Sequence, residues 1–199
     1  MDSPTIEYAQ RREARLRVRA DRERVHLRIG NFKLLTIAVG IVLAWFSLIK
    51  GPLSDYWMLL PVAAYGALAV WHELVIRART RAERAAAFYE RGLARIEDRW
   101  AGTGETGERF RDAKHVYAED LDLFGRGGLF QLLCSARTPM GEDWLARWLL
   151  TPSTVGAIHE RHELIAELRD KIDLREDVAL KGESLRAELN PHGLAAWAE

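Results

Sequence analysis

Cysteine is almost missing from this chain. The single residue, Cys134, excludes an internal disulfide. Its place between Leu133 and Ser135 in an apolar run reads as a small core side chain. A reactive thiol is the other reading, and no activating pattern lies beside it. Net charge is missing as well, with 29 Lys plus Arg against 29 Asp plus Glu. There is no internal repeat and no low-complexity tract. Sustained alternation of apolar and polar residues is also absent beyond the brief Asp120-Leu-Asp-Leu123 segment, so strands are not expected. Finally, no glycine-rich turn ends in Lys and Ser or Thr. A Walker-type hydrolase needs one, because its backbone amides and lysine ammonium hold the phosphates.

Two long apolar stretches stand out instead, Leu34 to Ile49 and Tyr56 to about Ile76. A helix rises about 1.5 Å per residue, so Asn31 to Lys50 spans about 30 Å if Lys33 and Lys50 extend their ammonium groups to the headgroups. That is long enough to cross a bilayer. In the second stretch Trp57 and Trp71 mark the two interfaces, where amphipathic rings are favoured. Pro61 and Gly66 are tolerated in such a helix. Between the stretches, Gly51 to Asp55 make a turn too short to recross, which predicts an antiparallel hairpin with both ends on one side.

Charge supplies the orientation. Residues 1–33 carry nine Lys plus Arg and residues 77–99 carry seven Arg, whereas the connecting turn and its edge have only Lys50. Positive-inside counting places both flanks, and both termini, at the cytoplasmic side of the cytoplasmic (inner) membrane. The competing reading is a pair of buried helices in a soluble protein, because each uninterrupted run falls just short of about 18 residues. A signal peptide fits poorly: the first run begins after more than 30 residues, lacks a small-residue cleavage site and is followed by a second run.

The two halves differ in sign. Residues 1–99 carry 17 basic and 11 acidic side chains, a net +6, and residues 100–199 carry 12 and 18, a net −6. The basic half suits an anionic lipid surface, at about 1 kcal/mol per basic residue close to it. The acidic half disfavours nucleic-acid binding, which needs clustered Lys and Arg to neutralise phosphates.

Helix signals run through the rest. Thr5 to Ile29 has no Gly or Pro and is rich in Arg, Glu, Ala and Leu, but its apolar residues form no clean stripe. It is either a lipid-binding helix or, as we prefer, a solvated one that enforces topology. From Arg77 to about Trp100 a further helical pattern carries Ala85, Phe88, Tyr89, Leu93 and Ile96 on one face. Gly102, Gly104 and Gly107 then break the pattern and mark the best domain boundary. They spell G-x-G-x-x-G, but a helix rather than a strand precedes them and no ribose-binding acid follows, so dinucleotide binding is not expected. Beyond them come short helices with buried faces, carrying Leu129 to Leu133 and Trp144, Leu145, Trp148 and Leu149, the latter ended by Pro152. Ser153 or Thr154 caps the next, whose Val155, Ile158, His162, Ile165 and Leu168 share one side. The last carries Leu174, Val178, Leu185 and Leu189.

The predicted fold class is therefore all-α: an antiparallel transmembrane hairpin followed by a partial helical domain. The predicted divisions are a basic helix at 1–33, the hairpin at 34–76, a juxtamembrane helix at 77–100, a Gly-rich linker at 101–108 and the helical domain at 109–199.

Three constellations invite a chemical reading. His159 and His162 resemble a metalloprotease helix, but they lie three apart rather than four and no third ligand is evident, so surface histidines are preferred. Asp120 and Asp122 would share a side of an extended segment, as a cation site needs, or they cap the following turn and helix, which we prefer. His72 and Glu73 close the second apolar run, where an intramembrane pair would point to proton relay; near the interface they reach water. No catalytic, cofactor-binding or metal residue is assigned.

A longer set of residues is more specific. His115-Val-Tyr-Ala-Glu-Asp-Leu-Asp-Leu-Phe-Gly125, Leu129-Phe-Gln-Leu-Leu133, Ala136-Arg-Thr-Pro-Met-Gly141 and Trp148-Leu-Leu-Thr-Pro152 together resemble the lever and core helical domain of MutS-family ATPases. Ile158-His-Glu-Arg161 and Asp173-Leu-Arg-Glu-Asp177 continue the likeness, with His162 where those proteins usually have glutamine. The whole chain is similar to a bacterial MutS-related branch with an arginine-rich helix and membrane hairpin in place of the mismatch-reading and connector domains. The resemblance implies a two-fold dimer that encloses DNA, driven by ATP and magnesium in a carboxy-terminal ATPase domain. That domain is not in this chain, which is accordingly expected to be a fragment or truncated product holding the anchor and lever. No family site residue maps onto it. The alternative from a different class is a non-enzymatic membrane scaffold or dimerisation module.

Overall fold

A computed structural model describes residues 3–50, 57 and 59–188. Among them are six α-helices and one short 3-10 turn, with no strand. The helices are α1 (Pro4–Lys50), α2 (Leu59–Ile96), α3 (Leu129–Leu133), α4 (Pro139–Leu150), α5 (Val155–Arg169) and α6 (Ile172–Glu188). The all-α reading holds. The turn at Gly51 to Asp55, and Leu189, lie outside the described residues.

The chain divides into two compact units, Gln10–Ala87 and Met1–Ala9 with Phe88–Glu199. In the first, α1 runs through Gly30 without a break. A mid-helix glycine costs about 1 kcal/mol relative to alanine, which a long run of Arg, Glu, Ala and Leu absorbs. Pairings between α1 and α2 fix their direction: Arg19 with Glu83 at 3.6 Å, Glu23 with Arg79, His26 with His72, and Gly40 beside Pro61. Residue numbers rise on one helix as they fall on the other, so the pair is antiparallel. Exposed ion pairs of this kind contribute about 0–1 kcal/mol each, so they set register more than stability. Ile29 and Val75 are buried.

The apolar stretches themselves are almost wholly exposed within the chain. Ile41 is 64% and Val62 67% exposed. Both helices are long and apolar enough to cross a membrane. The alternative of two helices buried in a soluble core is not what the packing gives.

The other unit is built around an aromatic cluster. Phe110, Phe124 and Phe130 lie with ring centroids 5.5 to 6.0 Å apart, joined by Ala118, Leu123, Cys134 and Ala146. The preceding loop is tied to this core through glycine. Gly107 has φ +68°, and a Cβ there would lie 2.6 Å from the Phe130 ring, so only glycine meets both demands. Buried Gln131 holds two loops together, its Oε1 accepting from the backbone N–H of Gly102 and of Gly127.

Capping agrees with sequence logic. Thr138 accepts from the Gly141 N–H at the start of α4, and Thr154 from the Ala157 N–H at the start of α5. The far end of α4 is closed by the motif that begins the MutS resemblance. His115 Nε2 donates to the Leu150 carbonyl at 3.0 Å and the Tyr117 hydroxyl to the Leu149 carbonyl at 3.1 Å, satisfying groups that a helix end leaves without partners.

The expected buried faces of the last helices are revised. α5 has no buried residue and Val155 is 69% exposed. On α6, Leu174, Val178 and Leu185 are exposed, while Glu176 and Leu180 are buried. On α4, Leu145 and Leu149 pack against the aromatic core as expected, whereas Trp144 and Trp148 are half exposed, stacked beneath Arg147 and Arg161, and the fully buried positions are Glu142 and Ala146. A burial face two positions away from Leu174 and Val178, or from Trp144 and Trp148, arises because charged side chains here find charged or hydroxyl partners inside.

Candidate functional site

The last turns of α2 carry Phe88, Tyr89, Arg91, Gly92 and Arg95, with Tyr89 and Leu93 buried as the helical spacing predicted. Tyr8, from the start of α1, packs edge-on against Tyr89 at 5.6 Å. Its ring lies directly over Gly92, where a Cβ would come within 2.3 Å of it. The Tyr89 hydroxyl donates to the buried Glu176 carboxylate on α6. These contacts hold α6 beside α2 and leave a cavity of about 750 Å³.

Five arginines line that cavity, Arg91, Arg95, Arg137, Arg169 and Arg175, and no Asp or Glu among the described residues does. Behind them Glu183 accepts from Arg91 at 2.7 Å and lies 3.1 Å from Arg137. Arg95 donates to the Cys134 carbonyl at 2.6 Å and Arg175 to the Tyr8 hydroxyl at 3.1 Å, both uncharged oxygens. Burial, reinforced by neighbouring Arg91, pushes Arg95 and Arg137 below the usual guanidinium value. Arginine nevertheless stays protonated, so the cost of burying its charge remains in the folded state. The same lining includes the apolar side chains Phe88, Ile165, Leu168, Leu174 and Val178.

The residues weighed from sequence fall elsewhere. His159 and His162 are exposed on α5, and no third ligand joins them, since among the described residues no group of three His, Cys, Asp or Glu could hold a metal. Asp120 and Asp122 do not share an extended strand: the chain turns there, with Asp122 at φ +45°. Nor do they cap α3, whose N-cap is Gly128 without a side-chain bond. Glu73 pairs with Arg77 at 2.8 Å on the surface. His72 instead bridges two groups on α1: Lys33 donates to its Nδ1 at 2.7 Å, and its Nε2 meets Nδ1 of His26 at 2.7 Å. A lysine has only protons to give, so His72 donates onward to His26. Cys134 is buried in the aromatic core, and burial pushes its thiol up from the ordinary value, which supports the core reading.

The Gly102 to Gly107 loop follows a helix; its Gly102 N–H is taken by Gln131 and Gly107 packs against the Phe130 ring, so this loop is tied to the core and is not shaped as a phosphate cradle.

Sequence reasoning missed the arginine cavity because its cations are scattered from 91 to 175 over separate elements. The one available signal was a surplus of arginine near apolar helix faces.

Residues 114–189 match the family model of MutS domain III. No curated protein and no solved structure matches the chain. The MutS domain III match takes in α3 to α6, the His115 and Tyr117 contacts that close α4, and the arginines at 137, 169 and 175. It leaves the two long helices outside.

Proposed function

We propose that this chain is the membrane anchor and lever arm of a MutS-like protein, with the hairpin at 34–76 in the bilayer and residues 109–199 beside its cytoplasmic face. One pairing carries the reading: a MutS domain III match in the same chain as two antiparallel helices whose apolar surfaces no described residue covers. Basic flanks at 1–33 and 77–100, with a Gly-rich linker at 101–108, support the orientation. The resemblance extends the proposal to a dimer that grips DNA or another elongated partner. ATP and magnesium would then act in an ATPase domain distinct from these residues. No step of nucleotide chemistry is assigned to residues described above.

Alkaline carbonate washing of membranes from cells expressing the chain tests the anchor, because it strips peripheral proteins and leaves spanning ones. Retention in the pellet is the expected result, and release into the wash would overturn the hairpin.

A non-enzymatic scaffold is the second reading, favoured by the exposed Val155, Leu164 and Ile165 on α5 and by the acidic charge of residues 100–199. Titrating duplex DNA onto the chain in nonionic detergent at several salt concentrations separates the two. Affinity that falls steeply with salt supports the DNA arm. No binding, together with concentration-dependent dimerisation, supports the scaffold.

A further inference from the structure

We propose that the cavity between the end of α2 and helices α5 and α6 binds an anionic amphiphile, a phosphate or carboxylate head on an apolar tail. Its volume of about 750 Å³ falls within the range of about 300–1,000 Å³ typical of small-molecule sites. Its lining mixes two kinds of side chain: the arginines Arg91, Arg95, Arg137 and Arg175, and the apolar Phe88, Leu168, Leu174 and Val178.

The charge is out of keeping with its surroundings. Residues 100–199 are net −6, yet no acid among the described residues lines the cavity. Glu183 is shared by Arg91 and Arg137, so a single carboxylate answers two cations. Arg95 and Arg175 give hydrogen bonds to a carbonyl and a hydroxyl, which cancel no charge. Half-buried, permanently charged guanidiniums are costly to fold around, and a bound anion offsets that cost through short, often bidentate bonds.

The apolar part of the lining decides the rest of the ligand. A free inorganic anion would leave Leu168, Leu174 and Val178 against water, and a neutral lipid would leave the arginines unmet. A molecule with both an anionic and an apolar part complements both kinds of side chain. Arginine rather than lysine fits a planar or tetrahedral oxyanion, since its donors form a fixed fork.

The test uses the full chain in nanodiscs of zwitterionic lipid, with empty discs as the blank and calorimetric titration as the readout. The probes are decyl phosphate, inorganic phosphate, ATP and decyltrimethylammonium. Decyl phosphate is expected to bind saturably at one per chain, at least tenfold tighter than inorganic phosphate or ATP, with no saturable binding of the cation. Arg175→Gln and the exposed-wall variant Val178→Glu should each weaken decyl phosphate at least tenfold while leaving the circular dichroism melt unchanged. Equal binding of the cationic amphiphile, or equal binding of inorganic phosphate or ATP, would overturn the proposal. So would undiminished decyl phosphate binding by a folded Arg175→Gln, Val178→Glu double variant.

Discussion

Glu142 lies buried between two guanidiniums, 3.1 Å from Arg109 and 3.0 Å from Arg186, and those arginines reach on to Asp143 and Glu105. A single position on α4 thereby links the loop before the aromatic core to α6. Both arginines are half exposed, so water can take up part of what the carboxylate supplies. Glu142→Ala should accordingly cost about 1–3 kcal/mol, below the figure for a fully enclosed pair. Denaturant unfolding followed by circular dichroism in detergent measures it. Nothing in the sequence marks Glu142 as buried, because the apolar stripe of α4 points to Trp144 and Trp148.

Cys134 offers a pH test at the same scale. Burial raises its folded thiol above the unfolded value. Its contribution to stability is therefore complete below the ordinary thiol range and is lost as pH rises through the folded value. A maleimide should label the folded chain slowly at neutral pH and the denatured chain rapidly. Fast labelling of the folded chain would show the thiol to be accessible. Here the sequence context sufficed, since Leu133 and Ser135 placed the residue at the edge of an apolar run.

At the scale of elements, helix boundaries follow local chemistry closely. Thr154 caps α5 through the Ala157 N–H at 3.3 Å, and Pro152 stands just before it. Thr154→Ala should lower stability by about 1 kcal/mol, read as a small drop in melting temperature. Faces were less legible than ends. α5 has an apolar side at the expected spacing, yet it carries no buried residue; Ile165 and Leu168 line the cavity instead. Periodicity tells which residues share a side, whereas burial depends on what is brought against that side. The His115 and Tyr117 contacts make the same point, because they close a helix more than 30 residues further along the chain.

At the scale of the whole molecule, the hairpin reading depends on apolar surface that the described residues leave uncovered. Ile41 is exposed and, on the proposed anchor, faces lipid. Ile41→Arg places a charge near the middle of the first span and should oppose insertion by about 2.5–3.5 kcal/mol. The expected readout is a larger share of the chain released by carbonate than in the parent. An unchanged share would argue that this stretch does not cross.

What the sequence determined alone is local or cumulative: helical class, start and stop signals, two stretches of bilayer length, and the sign of charge in each half. These depend on neighbours along the chain, so they survive without knowledge of the packing. The tertiary structure decided which polar groups are buried, with Gln131 joining two loops and Glu176 meeting Tyr89. It also gathered five arginines from four parts of the chain beside apolar side chains in one cavity. Electrostatics and burial act through space, and distance along the sequence carries no record of it.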